Sequence, residues 1–142
     1  MRTIAELLTD RKPRTLPPTA TALDAARRMQ AEHIGAILIV DDAQQLVGCF
    51  SERDLTNRVV AAGRAPADVQ LHEVMTRELF TATPEDRIHA TACEMQERHI
   101  RHLPVVVDGQ LIAVLGLRDM QRELLEATRG QVNELTRYIR GA

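Results

Sequence analysis

The sequence predicts an α/β protein built from two copies of one small unit, and three observations carry that prediction. The chain matches itself at a spacing of about 65 residues. Each copy holds two continuous apolar runs of strand length. Those runs are bracketed by segments whose apolar residues recur at helical spacing, so small sheets covered by helices are expected.

The repeat appears when His33 is placed over His99. Pro18 then falls on Pro84, Ala26 on Ala92, Met29 on Met95, Gln30 on Gln96, Ile34 on Ile100, Val40 on Val106 and Asp42 on Asp108. One residue is dropped from the second copy. Beyond it Gln45 meets Gln110, Leu46 meets Leu111, Arg53 meets Arg118 and Asp54 meets Asp119. Two small units related by a pseudo-twofold axis are the expected result.

The elements follow in chain order. "TIAELL" reads as a short helix ahead of an extended lead-in at Thr15-Leu16. Thr21 caps a helix to about Ala31, with Ala22, Ala25, Ala26 and Met29 on its apolar face. "AILIV" and "LVGCF" are strands joined by the turn "DDAQQ". A helix then starts at Ser51, with Leu55, Val59 and Val60 expected to face inward. "GRAPAD", with Gly63 and Pro66, is the linker. "HEVM" repeats the first short helix, and Phe80-Thr81 repeats the lead-in. "RIHATACEMQERH" is the second long helix. "LPVVV" and "LIAVL" form a hairpin around the Asp-Gly of "DGQ", and "RDMQRELLEA" is the helix that follows. After Gly130 the tail "QVNELTRYIRG" places Val132, Leu135 and Ile139 on one helical face. That face is expected to dock on the chain's own core, the alternative being a contact between two copies. The domains are accordingly 1–68 (first repeat with the N-terminal helix and linker), 69–128 (second repeat) and 129–142 (C-terminal helix).

Composition excludes several functions. The 142 residues are 44% hydrophobic, enough for a buried core. Phe50, Phe80 and Tyr138 are the three aromatic residues, too few for a base-stacking surface. A net charge of −2 argues against a nucleic-acid backbone binder. Cys49 and Cys93 sit among apolar residues, form no CxxC pair and read as buried small hydrophobes without a resolving partner. Glu6 and Asp10 interrupt the N-terminus, which does not read as a signal peptide, and no apolar window approaches a membrane span of roughly 18 residues. A soluble cytoplasmic protein without membrane contact is expected. No metal-ligand spacing, P-loop or nucleophile elbow appears, so no catalytic role is expected.

"MQAEHIGAILIVDDAQQLVGCFSERDL", "VMTRELFTATPED" and "MQERHIRHLPVVVDGQLIAVLGLRDM" together resemble a tandem cystathionine-β-synthase (CBS) domain pair, the Bateman module, over nearly the whole chain. The chain is similar in particular to free-standing bacterial members. The resemblance implies a non-catalytic regulatory module. It implies disc-like homodimers, a regulated partner protein, and clefts between paired repeats that take an adenosine-containing ligand. That ligand is expected to be AMP foremost, with ATP, ADP, NAD(H) or S-adenosylmethionine as alternatives, and no metal is required.

The resemblance also implies a site motif: a small or hydroxyl residue after the second strand, with Asp three positions on. In this chain these are Ser51 and Asp54. An ionised carboxylate suits a ribose cis-diol through charge-assisted hydrogen bonds, and a hydroxyl at a helix start suits a phosphate. The same pair also reads as a capping box, with Ser51 bonding forward and Asp54 reaching back. The second copy keeps Asp119 but has Gly116 in place of the serine. Basic residues ahead of the strand proline are implied to meet phosphate, and these are Arg101 and His102, opposite Gly35 and Ala36 in the first copy. One strong site is therefore expected from Ser51, Asp54, Arg101 and His102. A weaker cleft would use Gly116, Asp119, Gly35 and Ala36, and adenine would lie near Leu16, Phe80 and Thr81. The competing function is a ligand-free dimerisation scaffold, in which Ser51 is only a cap.

Overall fold

The computed structural model describes residues 2–9 and 12–140. Its contacts separate into two compact units. One gathers the described residues within 11–80 and 106–112, and the other those within 1–10, 81–105 and 113–142.

In the first-repeat unit, β1 (Thr15–Leu16) lies parallel to β2 (Ala36–Val40), which pairs antiparallel with β3 (Leu46–Ser51). The register sets Ile37 against Phe50 and Ala36 against Ser51. Ile37, Ile39 and Phe50 are fully buried with Ala22, Ala25 and Met29 of helix α1 (Ala22–Glu32). Burying a side chain such as Phe50 stabilises the unit by about 1.5–3 kcal/mol. Thr21 and Asp24 close a reciprocal capping box at the start of α1. His33 ends that helix in the left-handed conformation at φ 55; His99, one residue past the end cap Arg98 of the second long helix, is left-handed too at φ 57.

Helix α2 (Glu52–Asp54) continues as a π-helical turn over Leu55–Val60. Val59 is buried, but Val60, expected to face inward, is exposed. Adjacent residues on a helix point in directions well apart, so the face that buries Val59 leaves Val60 toward solvent. Helix α3 (Leu71–Val74) packs back on the same unit: Leu71 N donates to Ala20 O (2.8 Å) and Ala22 N to Val69 O (2.8 Å). At Gly48 a Cβ would come within 2.6 Å of Met75 Sδ, so only glycine admits this approach.

The second repeat keeps the same order of elements. Ala82 bridges Val105 in parallel, as Leu16 pairs Ile39. Helix α4 (Ile88–Glu97) buries Ile88, Ala92 and Met95. Strands β4 (His102–Val107) and β5 (Gln110–Gly116) form the expected hairpin. Asp108 and Gly109 both have positive φ, 52 and 81, as a two-residue turn of this hand requires. The short 3-10 turn Ile4–Leu7, read from the sequence with the first repeat, hydrogen-bonds to the second: Ile4 N donates to Asp86 O and Ala5 N to Pro84 O, both at 2.8 Å.

Three sequence expectations are corrected here. Helix α5 runs unbroken over Leu117–Ile139, so the tail is not a separate helix. Gly130 costs only about 1 kcal/mol in a helix interior and has open space around it, so it does not stop the helix. The face expected to dock is instead open to solvent: Val132 is 54% exposed, Leu135 61% and Ile139 80%. Cys93, expected to be buried, lies on the outer face of α4, while Cys49 is half-buried. Gly141 and Ala142, at the end of the expected tail helix, and Asp10 lie outside the described residues.

Candidate ligand-binding site

The end of β3 and the start of α2 hold Ser51 and Asp54 together. Ser51 is still extended (φ −111, ψ 168), which turns its side chain toward the first helical turn. Ser51 N donates to Asp54 Oδ2 (3.0 Å), and Asp54 N donates back to Ser51 Oγ (3.2 Å). The capping box is therefore fully formed. Ser51 Oγ also donates to Asp54 Oδ2 (3.1 Å).

Asp54 does more than cap. It is a buried carboxylate, 8% exposed. Thr76 Oγ1 donates to its Oδ1 (3.1 Å) and, less closely, to Oδ2 (3.3 Å). Arg58, one turn on, brings Nε to 3.6 Å of Oδ1. The same guanidinium donates from Nη1 to the carbonyls of Val74 (3.2 Å) and Met75 (3.1 Å). The backbone of Thr76 exchanges two hydrogen bonds with Cys49, at 2.9 and 2.8 Å. Burial first, and the Asp54 carboxylate second, push the Cys49 thiol up to about 11.

Gly35 and Ala36 belong to this neighbourhood. Glu52 N donates to Gly35 O (3.0 Å), and Ala36 is the ladder partner of Ser51. In the second-repeat unit the equivalent contact runs from Leu117 N to Arg101 O (2.8 Å), so Arg101 and His102 stand beside the start of α5. Gly116 offers no side-chain cap there. Asp119 is correspondingly open, its side chain 64% exposed with Arg122 Nη1 4.0 Å away. Within each unit, then, Gly35 and Ala36 join Ser51 and Asp54, and Arg101 and His102 join Gly116 and Asp119.

Leu16 lines a shallow groove of about 620 Å³ with Pro17, Asp24 and Arg27, which does not include Ser51 or Asp54. Phe80 and Thr81 are half-buried. Sequence reasoning missed Thr76 and Arg58. Arg58 was legible as an i,i+4 partner of Asp54. Thr76 stood in the quoted "VMT" segment without a chemical role. Among the described residues no group of three or more His, Cys, Asp or Glu could hold a metal ion. Nor is any helix among the described residues long and apolar enough to cross a membrane.

A family model for the CBS domain matches residues 4–61 and 71–126. The chain belongs to the CBS domain family. It is a tandem CBS pair of mixed α/β fold with a long terminal helix. The Arabidopsis thaliana CBS domain-containing protein CBSX3, mitochondrial, is 30% identical over 125 residues, covering 85% of this chain and 61% of that protein. The chain thus spans less than two thirds of that curated relative. A crystal structure from Vibrio cholerae, of a protein named for acetoin utilization (AcuB), superposes with a TM-score of 0.79 at 28% identity, covering 94% of this chain and 97% of that one. The crystal structure of CBSX2 in complex with AMP superposes with a TM-score of 0.74 at 22% identity over 89% of this chain and 98% of that one, a likeness of fold.

Proposed function

We propose that this CBS pair is a regulatory module that binds an adenosine nucleotide and signals by a change of conformation, without catalysis. The carrying observation is that Asp54 and Asp119 recur three residues after the end of the second strand of each repeat, at the first turn of a helix. A CBS pair of the same fold holding AMP supports the ligand class. AMP is the first candidate; ATP, ADP, NAD(H) and S-adenosylmethionine share the adenosine. Asp54 serves a ribose and Ser51 a sugar–phosphate end in the first repeat, and Arg101 and His102 are the phosphate candidates of the second. Asp119 and Gly116 in the second repeat, and Gly35 and Ala36 in the first, are the weaker candidates, and Leu16, Phe80 and Thr81 are the adenine candidates. The protein acts in the cytoplasm, needs no metal, and passes its signal to a protein partner.

The test is thermal unfolding with and without AMP. Wild type gains melting temperature with AMP. Asp54→Ala loses most of that gain, and Asp119→Ala keeps it. Equal stabilisation of wild type and both variants would sink the assignment of Asp54.

A second reading is favoured by the open face of α5. Leu125, Val132, Leu135 and Ile139 recur at spacings of seven, three and four along the helix and are all exposed. On this reading the chain is a scaffold that pairs with a second copy through that face. Light scattering decides it: Val132→Glu with Leu135→Glu should convert a dimer to a monomer, and an unchanged mass removes the reading.

A further inference from the structure

Thr76 bears directly on Asp54, and its role there rests on the ribose reading of that carboxylate. A carboxylate offers about four lone-pair directions. In this structure the donors around Asp54 are Ser51 N at 3.0 Å, Ser51 Oγ at 3.1 Å, Thr76 Oγ1 at 3.1 Å and, more distantly, Arg58 Nε at 3.6 Å. With the residue only 8% exposed, little of the carboxylate faces water where a diol could simply add. A ribose that donates two hydrogen bonds has to take the places of donors already there.

The donors differ in how easily they leave. Ser51 N is backbone and closes the cap. Ser51 Oγ is also held, because it accepts from Asp54 N (3.2 Å). Arg58 is anchored through Nη1 to the carbonyls of Val74 and Met75. The hydrogen bonds of Thr76 Oγ1 among the described residues go to Asp54 alone. Its backbone is fixed by the exchange with Cys49, so the hydroxyl can turn away by a side-chain rotation while the main chain stays.

We propose that the Thr76 hydroxyl is an internal stand-in for a ribose hydroxyl, which a bound adenosine ligand must displace from Asp54. Thr76 is on this account an affinity- and specificity-determining residue. It satisfies the buried carboxylate in the free protein and competes with the ligand's diol. A ligand with both ribose hydroxyls meets that competition in full. A ligand with one can donate to Asp54 while Thr76 stays in place.

Isothermal titration with AMP and with 2′-deoxy-AMP tests this. Thr76→Val keeps the branched shape and removes the donor, and Thr76→Ala removes it by a second route should the valine variant fold poorly by circular dichroism. The expected result is AMP affinity raised several-fold in both variants, a smaller gain for 2′-deoxy-AMP, and a return toward wild-type affinity in Thr76→Ser. AMP binding to a hydroxyl-less variant when wild type shows none supports the proposal too. Binding to wild type with equal or weaker affinity in both hydroxyl-less variants overturns the stand-in and leaves the nucleotide reading in place. No AMP binding to any of the four proteins overturns both.

Discussion

Ser51 and Asp54 hold each other by reciprocal backbone-to-side-chain hydrogen bonds, at 3.0 Å one way and 3.2 Å the other, whereas Gly116 leaves Asp119 without that partner. The two repeated aspartates therefore carry different loads. Ser51→Ala should cost about 1 kcal/mol in urea unfolding, the usual worth of a cap. Asp54→Ala should cost more, about 1–3 kcal/mol, because Thr76 Oγ1 and Ser51 N lose their acceptor in a buried site. Asp119→Ala should fall within about 0.5 kcal/mol of wild type, as exposed substitutions do. Equal costs at Asp54 and Asp119 would contradict the asymmetry.

Gly48 gives a packing prediction. A methyl group there meets Met75 Sδ at 2.6 Å, Met75 Cγ at 2.9 Å and the Thr76 carbonyl oxygen at 3.1 Å. Met75 is buried and the carbonyl belongs to main chain bonded to Cys49, so the neighbours have little room to yield. Gly48→Ala should destabilise by about 1–3 kcal/mol, the range of an overpacked core. Adding Met75→Ala should recover part of the loss relative to its own single variant. If the two substitutions are strictly additive, the clash is not the cause.

The two thiols should separate under alkylation. Cys49 is half-buried and its thiol is pushed up to about 11, so almost no thiolate forms at pH 8. Cys93 is exposed on α4. Iodoacetamide at pH 8 should add one label, at Cys93, by peptide mass spectrometry, with Cys49 labelled only after guanidinium unfolding. Cys49 reacting as fast as Cys93 in the folded protein would refute this.

What could be read from the sequence was what the chain writes locally. The lead-in at Thr15-Leu16 was legible from the repeat, whereas its counterpart was read at Phe80-Thr81 and the bridge falls one residue on, at Ala82. The Asp108-Gly109 turn announced its own hairpin. Gly130 misled because a glycine is a stop signal only where the backbone turns left-handed, and in α5 it does not. The open face of α5 was misjudged for a related reason: helical spacing reveals an apolar stripe but not what covers it. Thr76 reaches Asp54 across 22 positions, so its role depends on the fold bringing the "VMT" segment against β3. The Ser51–Asp54 pair was legible in both senses at once, and the structure fills one of them, the cap, without excluding the other.

Thr21 N donates to Asp24 Oδ2 (3.0 Å), and Gln70 N donates to Glu73 Oε2 (2.8 Å), with Arg64 Nη2 on Glu73 Oε1 (2.9 Å). The two caps are neighbours, since Thr21 and Gln70 bridge one another. The backbone N–H bond is the leading cause that lowers each carboxyl below its ordinary range, with the Thr21 side chain next for Asp24 and Arg64 next for Glu73. A carboxyl lowered by folding stabilises the folded state fully above its unfolded value, about 4, and loses that contribution as pH falls through the lowered value. Both groups are exposed, so the effect is partly screened by solvent. Melting temperature should therefore hold between pH 7 and 5 and drop as pH falls below about 4. The double variant Asp24→Asn, Glu73→Gln should begin less stable at neutral pH and lose less on acidification. If its melting temperature falls in parallel with wild type down to pH 3, these two caps do not carry the acid sensitivity.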